Sequence, residues 1–154
     1  MAVKKLVRSQ KAFQGEFIEL TIPIDVRRQV KQYGRSFFGN GIMLHKMRLK
    51  KDDIEHSLTE EMAVRIRKSM PSISRQSYTD YLSQLEEILT EGKKDKFRPF
   101  DPASGCLATN ISRLPVDKLN FGTGLPDLIY PLTIEKNATA VLAKDENFIL
   151  RFAY

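Results

Sequence analysis

Histidine is the side chain best suited to moving protons near neutral pH, and this sequence has two, His45 and His56. The run His56-Ser57-Leu58-Thr59-Glu60 has the outline of a His-x-x-x-Asp acid–base signature, with Glu in the last place. Ser57 and Glu60, however, are spaced as a capping box at a helix start, and no glycine follows Glu60 to turn the chain. His56 therefore reads as a surface histidine, and His45 as a hydrogen-bonded histidine of a sheet. One cysteine, Cys106, and two separated histidines give no zinc spacing, so no metal site is expected. Asp52-Asp53 and Glu60-Glu61 are adjacent pairs whose side chains diverge, which suits solvated charges better than a coupled acid and base. Phe121-Gly122-Thr123-Gly124 implies a tight backbone turn, without the fuller glycine pattern of a phosphate or dinucleotide loop. No residue of this chain is assigned as catalytic.

The elements that would carry these residues follow from periodicity. Between Glu16 and Ile24, Ile18, Leu20, Ile22 and Ile24 alternate with Glu19 and Thr21, the pattern of a strand with one apolar face. After a turn at Tyr33-Gly34-Arg35-Ser36, Phe37 to Leu49 reads as a second strand. Its glycines at 39 and 41 suggest a bulge or a close approach of another backbone. A first helix is expected from a Ser57 cap, with Leu58, Met62, Ile66 and Met70 as its stripe and Pro71 ending it. A second is expected from about Ser77, with Tyr78, Tyr81, Leu82, Leu85, Ile88 and Leu89 on one face and Gly92 as its C-cap. A charged connection then leads to a short strand at 105–111, and the sequence ends in a hairpin of 138–143 and 148–152. Helices on one face of a mixed sheet, an α+β arrangement in a single domain over residues 1–154, bury these faces most simply.

Composition limits the classes available. Hydrophobic residues make up 42% and charged residues 29%, a globular balance, and no apolar run is long enough to span a bilayer. A lone cysteine and no signal-peptide pattern fit a reducing, cytoplasmic setting. Residues 1–51 hold 12 Lys/Arg against 3 Asp/Glu, inside a net charge of +6 for the whole chain. Such a segment suits nucleic acid, anionic lipid or a phosphorylated cofactor, although a solvated surface is the simpler reading.

Two ordered groups of motifs are similar to the C-terminal lobe of BAHD acyltransferases. Ile24-Asp25-Val26-Arg27-Arg28 followed by Phe37-Phe38-Gly39-Asn40 resembles that family's Val-Asp-x-Arg strand end and Phe-Gly-Asn turn. Thr109-Asn110-Ile111-Ser112-Arg113-Leu114-Pro115 and Asn120-Phe121-Gly122-Thr123-Gly124-Leu125-Pro126 resemble its Thr-Ser-Trp-x-x-Leu-Pro and Asp-Phe-Gly-Trp-Gly-x-Pro region. The resemblance implies a chloramphenicol-acetyltransferase-like half, with two helices packed on a mixed sheet. It also implies acyl-CoA as co-substrate and a hydroxyl or amine acceptor. The family's histidine base lies in the other lobe, so the chain is expected to need an N-terminal-lobe partner, or to self-associate, and to be inactive alone. It is a fragment, half of a two-chain enzyme or a decayed relative, and the resemblance leaves all three open.

The same resemblance implies roles for particular residues. Arg27, Gly39, Asn40, Asn120, Phe121, Gly122 and Gly124 are structural, and Thr109 is a candidate to face the CoA channel. Asn120 stands where the family has an aspartate paired with the arginine matching Arg27, so any contact here would be a neutral hydrogen bond. The readings from other classes are a basic nucleic-acid-binding module and a non-catalytic interaction protein of the same fold.

Overall fold

The computed structural model describes residues 13, 15–27, 29–30, 39–93, 97–112, 118–120, 122–125, 138–144 and 147–152. Strand β1 (Phe17–Asp25) pairs antiparallel with β2 (Ile42–Lys50). On its other side β1 runs parallel to β3 (Gly105–Asn110), which is parallel in turn to β4 (Ala138–Lys144). The hairpin partner β5 (Asn147–Phe152) completes a five-stranded mixed sheet in the order β2-β1-β3-β4-β5.

Register explains which face is covered. Ile18, Leu20, Ile22 and Ile24 lie opposite Leu49, Met47, His45 and Met43. Side chains alternate along a strand, so all eight point to one side. Three helices close that side: α1 (Lys51–His56), α2 (Thr59–Ser69) and α3 (Arg75–Thr90). Ile54 of α1 and Met62 and Ile66 of α2 pack with Ile18, Leu20, Leu49 and Cys106. At the other end of the strands, Ile73 and Tyr78 pack with Val26 and Val30, flanked by Ile24, Met43 and Tyr81. Full burial of each large aliphatic side chain contributes about 1.5–3 kcal/mol, which makes these two clusters the main adhesive between the layers.

The α+β class and the mixed sheet are as expected, with particular differences. Among the described residues three helices, not two, cover the sheet. The sequence reading missed α1 because Ile54 is its only buried residue, which gives no stripe to read. Strand β2 begins at Ile42 rather than Phe37, because Asn40 Oδ1 accepts from the Ile42 N–H at 3.2 Å and turns the chain just before it. The helix cap expected at Ser57 is displaced by one residue. Leu58 holds the N-cap position of α2, and its N–H donates to Glu61 Oε2 at 2.9 Å, half of a capping box. Leu58 is consequently 65% exposed and drops out of the α2 stripe.

Helix α3 starts at Arg75, two residues early, because Ser74 and Ser77 exchange reciprocal side-chain and backbone hydrogen bonds at its head. Its end is as expected: Gly92, at φ +68°, lets its own N–H reach Leu89 O and the Lys93 N–H reach Ile88 O. That pair of bonds is a Schellman stop. Leu82 and Leu89, counted on the core face from sequence, are exposed at 41% and 52%. The helix buries Tyr78 near its start. The turn at Tyr33-Gly34-Arg35-Ser36 and residues Phe37, Phe38, Phe121 and Pro126 lie outside the described residues, as do the side chains of the 138–152 hairpin.

Candidate functional site

Two corners and one central strand carry the residues singled out above. At the first corner, β1 ends in Asp25 and the chain turns through Val26, whose N–H donates to Gly41 O at 2.9 Å. Arg27 donates from Nε to Asp25 Oδ1 and from Nη2 to Asp25 Oδ2, both at 2.8 Å, and its backbone N–H adds a third bond to Oδ1. This planar two-point grip keeps the guanidinium protonated, through the hydrogen bonds first and the opposite charge second. The aliphatic stem of Arg27 lies directly on Gly41, where a Cβ would come within 2.6 Å of Arg27 Cγ. What crowds Gly41 is therefore the Arg27 side chain, not another backbone as its glycine suggested. Gly39 and Asn40 sit exposed beside it.

The second corner is built on one amide. Asn120 Oδ1 accepts from the backbone N–H of Gly122 at 2.8 Å and of Gly124 at 3.2 Å. Both glycines have positive φ, +99° and +111°, so the tight turn read from the sequence is present at these positions. Arg27 and Asn120 thus each hold a local partner: the arginine has Asp25, and the amide has the turn that follows it.

Thr109 occupies β3, the middle strand, opposite Ala140 of β4. Cys106 and Ala108 point into the core covered by α1 and α2, so alternation directs Leu107 and Thr109 to the opposite face. On that face β1 presents Thr21, opposite Leu107. Thr21 is fully buried, and its Oγ1 donates to Pro99 O at 3.1 Å. The partners are 78 positions apart, and only the fold reveals that this hydroxyl fastens the connection before β3 across the sheet.

The other titratable groups are placed for structure. His45 Nε2 lies 3.4 Å from Ser69 Oγ on α2, and burial lowers the imidazole pKa. His56 is exposed at the end of α1, with Nδ1 2.9 Å from Asp52 O. Burial pushes the Cys106 thiol up to about 12, which leaves it inert as a nucleophile. Among the described residues no three His, Cys, Asp or Glu side chains come together as a metal site. The basic side of β2 is largely neutralised in place: Lys46 pairs with Glu19 at 3.0 Å and Lys50 with Glu16 at 3.2 Å, while Arg48 sits 4.7 Å above the Phe17 ring. Among the described residues no helix is long and apolar enough to cross a membrane.

This geometry recurs in solved structures. Fusarium sporotrichioides TRI101 with coenzyme A and T-2 superposes at a TM-score of 0.70, with 15% identity, over 94% of this chain and 35% of that one. Fusarium graminearum TRI101 with ethyl coenzyme A gives 0.67 at 14% identity, over 94% and 33%. Vinorine synthase gives 0.56 at 16% identity, over 93% and 32%. These are BAHD acyltransferases. The chain has the fold of one part of such an enzyme. It spans about a third of their length, and at these identities the likeness is one of fold. No family model matches the sequence, and no curated protein matches it.

Proposed function

We propose that this chain is the C-terminal part of an acyl-CoA-dependent acyltransferase of the BAHD type, acting in the cytoplasm, with the sheet face opposite α1 and α2 as one wall of the acyl-CoA channel. The single observation that carries the reading is the fold match over 94% of the chain to an enzyme solved with coenzyme A. Thr109 is the residue we choose to donate a hydroxyl to bound acyl-CoA, because β3 is central and alternation turns Thr109 away from the core that α1 and α2 cover. Neither histidine fits a general base: His45 is half-buried between sheet and helix, and His56 bonds its own helix. A partner lobe would supply the base, whose typical contribution is about 10²–10⁴ in rate.

The test has two arms. Titrating acetyl-CoA into the pure chain should show saturable binding that weakens in Thr109→Val, while thiol release with acceptor alcohols stays at background. Adding a separately produced lobe that bears His-x-x-x-Asp should restore turnover. Turnover by the chain alone that vanishes in His56→Ala would overturn this proposal, as would a clean monomer that binds no acyl-CoA.

A further inference from the structure

At the β2 edge of the described sheet, on the far side of β1 from Thr109, a cavity of about 380 Å³ opens between β2 and the second half of α3. Leu44 and Lys46 alternate to the same face of the sheet as Thr109, but two strand spacings, about 10 Å, separate β2 from β3, so the groove lies beside the proposed channel rather than at Thr109. The walls are the apolar Leu44, Tyr81, Leu85, Ile88 and Phe97, and the polar lining is Gln84, Lys46 and Arg98. Tyr81 sets the depth, since its hydroxyl accepts from the Leu44 N–H of β2 at 3.4 Å.

Charge accounting narrows the occupant. Lys46 is already paired with Glu19 at 3.0 Å. Among the described residues Arg98 has no ion pair. Asp101, the carboxylate nearest in effect to it, accepts from the Ala103 N–H and the Ser104 hydroxyl. Among the described lining residues Arg98 is therefore the one cation outside an ion pair, above an apolar floor, which fits a monoanion with an apolar body better than a dianionic phosphate ester. A guanidinium matches a carboxylate in planar two-point fashion, and the volume lies in the range of small-molecule sites. We propose that this groove binds a single-tailed carboxylate amphiphile, with the carboxylate on Arg98 and the tail against Leu85, Ile88 and Phe97.

The experiment is calorimetric titration of the full chain with dodecanoate below its micelle concentration, with dodecanol as the neutral comparison. Dodecanoate should bind saturably, and Arg98→Gln should weaken it about ten-fold, the worth of a charge-assisted contact. Gln84→Glu, an exposed change that places a like charge on the wall, should weaken it as well. Both sites are on the surface, so folding is preserved, and acetyl-CoA binding should be the same in both variants. The proposal is overturned if dodecanoate fails to saturate, if dodecanol binds equally well, or if both variants bind like the parent chain. Concentration-dependent dimerisation abolished by Ile88→Asp would assign the groove to a second copy instead, and would equally overturn it.

Discussion

The two corners that bear the family-like motifs reach a fixed backbone by opposite means. At 25–41 the constraint is crowding. Gly41 has no room for a side chain because the Arg27 stem occupies that space, and the arginine is held there by two bonds to Asp25. At 120–124 the constraint is conformation. A Cβ on Gly122 or Gly124 would meet nothing within 4 Å, yet both residues sit at φ values that L side chains avoid. The first corner should therefore respond to substitutions through a neighbour, and the second through its own backbone. Glycine count alone does not distinguish them, although the energetic reason for the glycine differs completely.

The largest effect is expected at the second corner. Gly122→Val should cost about 2 kcal/mol, because a β-branched residue at positive φ stores strain that open surroundings cannot relieve. For a chain of this size that is a fall of about 4–8 °C in melting temperature. An unchanged melting temperature would mean that the turn relaxes to another conformation at little cost. At the first corner Gly41→Ala should cost about 1 kcal/mol, through displacement of Arg27. The distinguishing readout is coupling: in an Arg27→Ala background Gly41→Ala should become neutral, whereas Gly122→Val should cost the same in either background.

A smaller change is expected at the amide that organises the second corner. Asn120→Ala removes the acceptor for two backbone donors, but water can reach both, so about 0.5 kcal/mol is the expected loss in urea melts. Asn120→Asp keeps the geometry and adds charge to the acceptor, so it should be at least as stable as the parent. A loss equal to that of the alanine variant would show that the two bonds do not hold the turn.

Legibility differs between the corners for the same physical reasons. Positive φ at Gly122 and Gly124 follows from a Gly-x-Gly run in a polar, turn-prone context, and the Gly92 stop follows from its place after a helical stripe. The apolar face of β1 was readable because a two-residue period is printed in Ile18, Leu20, Ile22 and Ile24. The partner of Arg27 was not. The resemblance pointed to Asn120, whereas Asp25 is only two positions away, a spacing that gains meaning only once a strand end turns. Thr21 escaped for the opposite reason, since its partner Pro99 is distant in sequence and no local pattern links them. Helix α1 escaped because a six-residue helix with one buried residue has no period to detect.

The smallest expected effect separates the corners by pH. The sheet that carries the first corner contains His45, whose burial lowers its pKa from the ordinary value of 6.5. Above that value the ring is neutral in both folded and unfolded chains, and pH has no leverage through it. As pH falls below 6.5 the unfolded chain takes up the proton first, so it binds more protons than the folded chain and stability declines. The decline ends once pH passes the lower folded value. Asp101 acts in a separate window. Its pKa is lowered by the Ala103 N–H first and the Ser104 hydroxyl second, so its contribution persists above the ordinary 3.8 and is lost only as pH falls further. Thermal melts between pH 7.5 and 5 should therefore show a small drop, and His45→Gln should abolish it. Backbone amide exchange over the same range should quicken on β2, where His45 faces Ser69 of α2, while exchange at Gly122 and Gly124, corrected for the intrinsic effect of pH, stays the same. Equal acceleration at both places would mean that the acid response is global and that the two corners are not energetically separate.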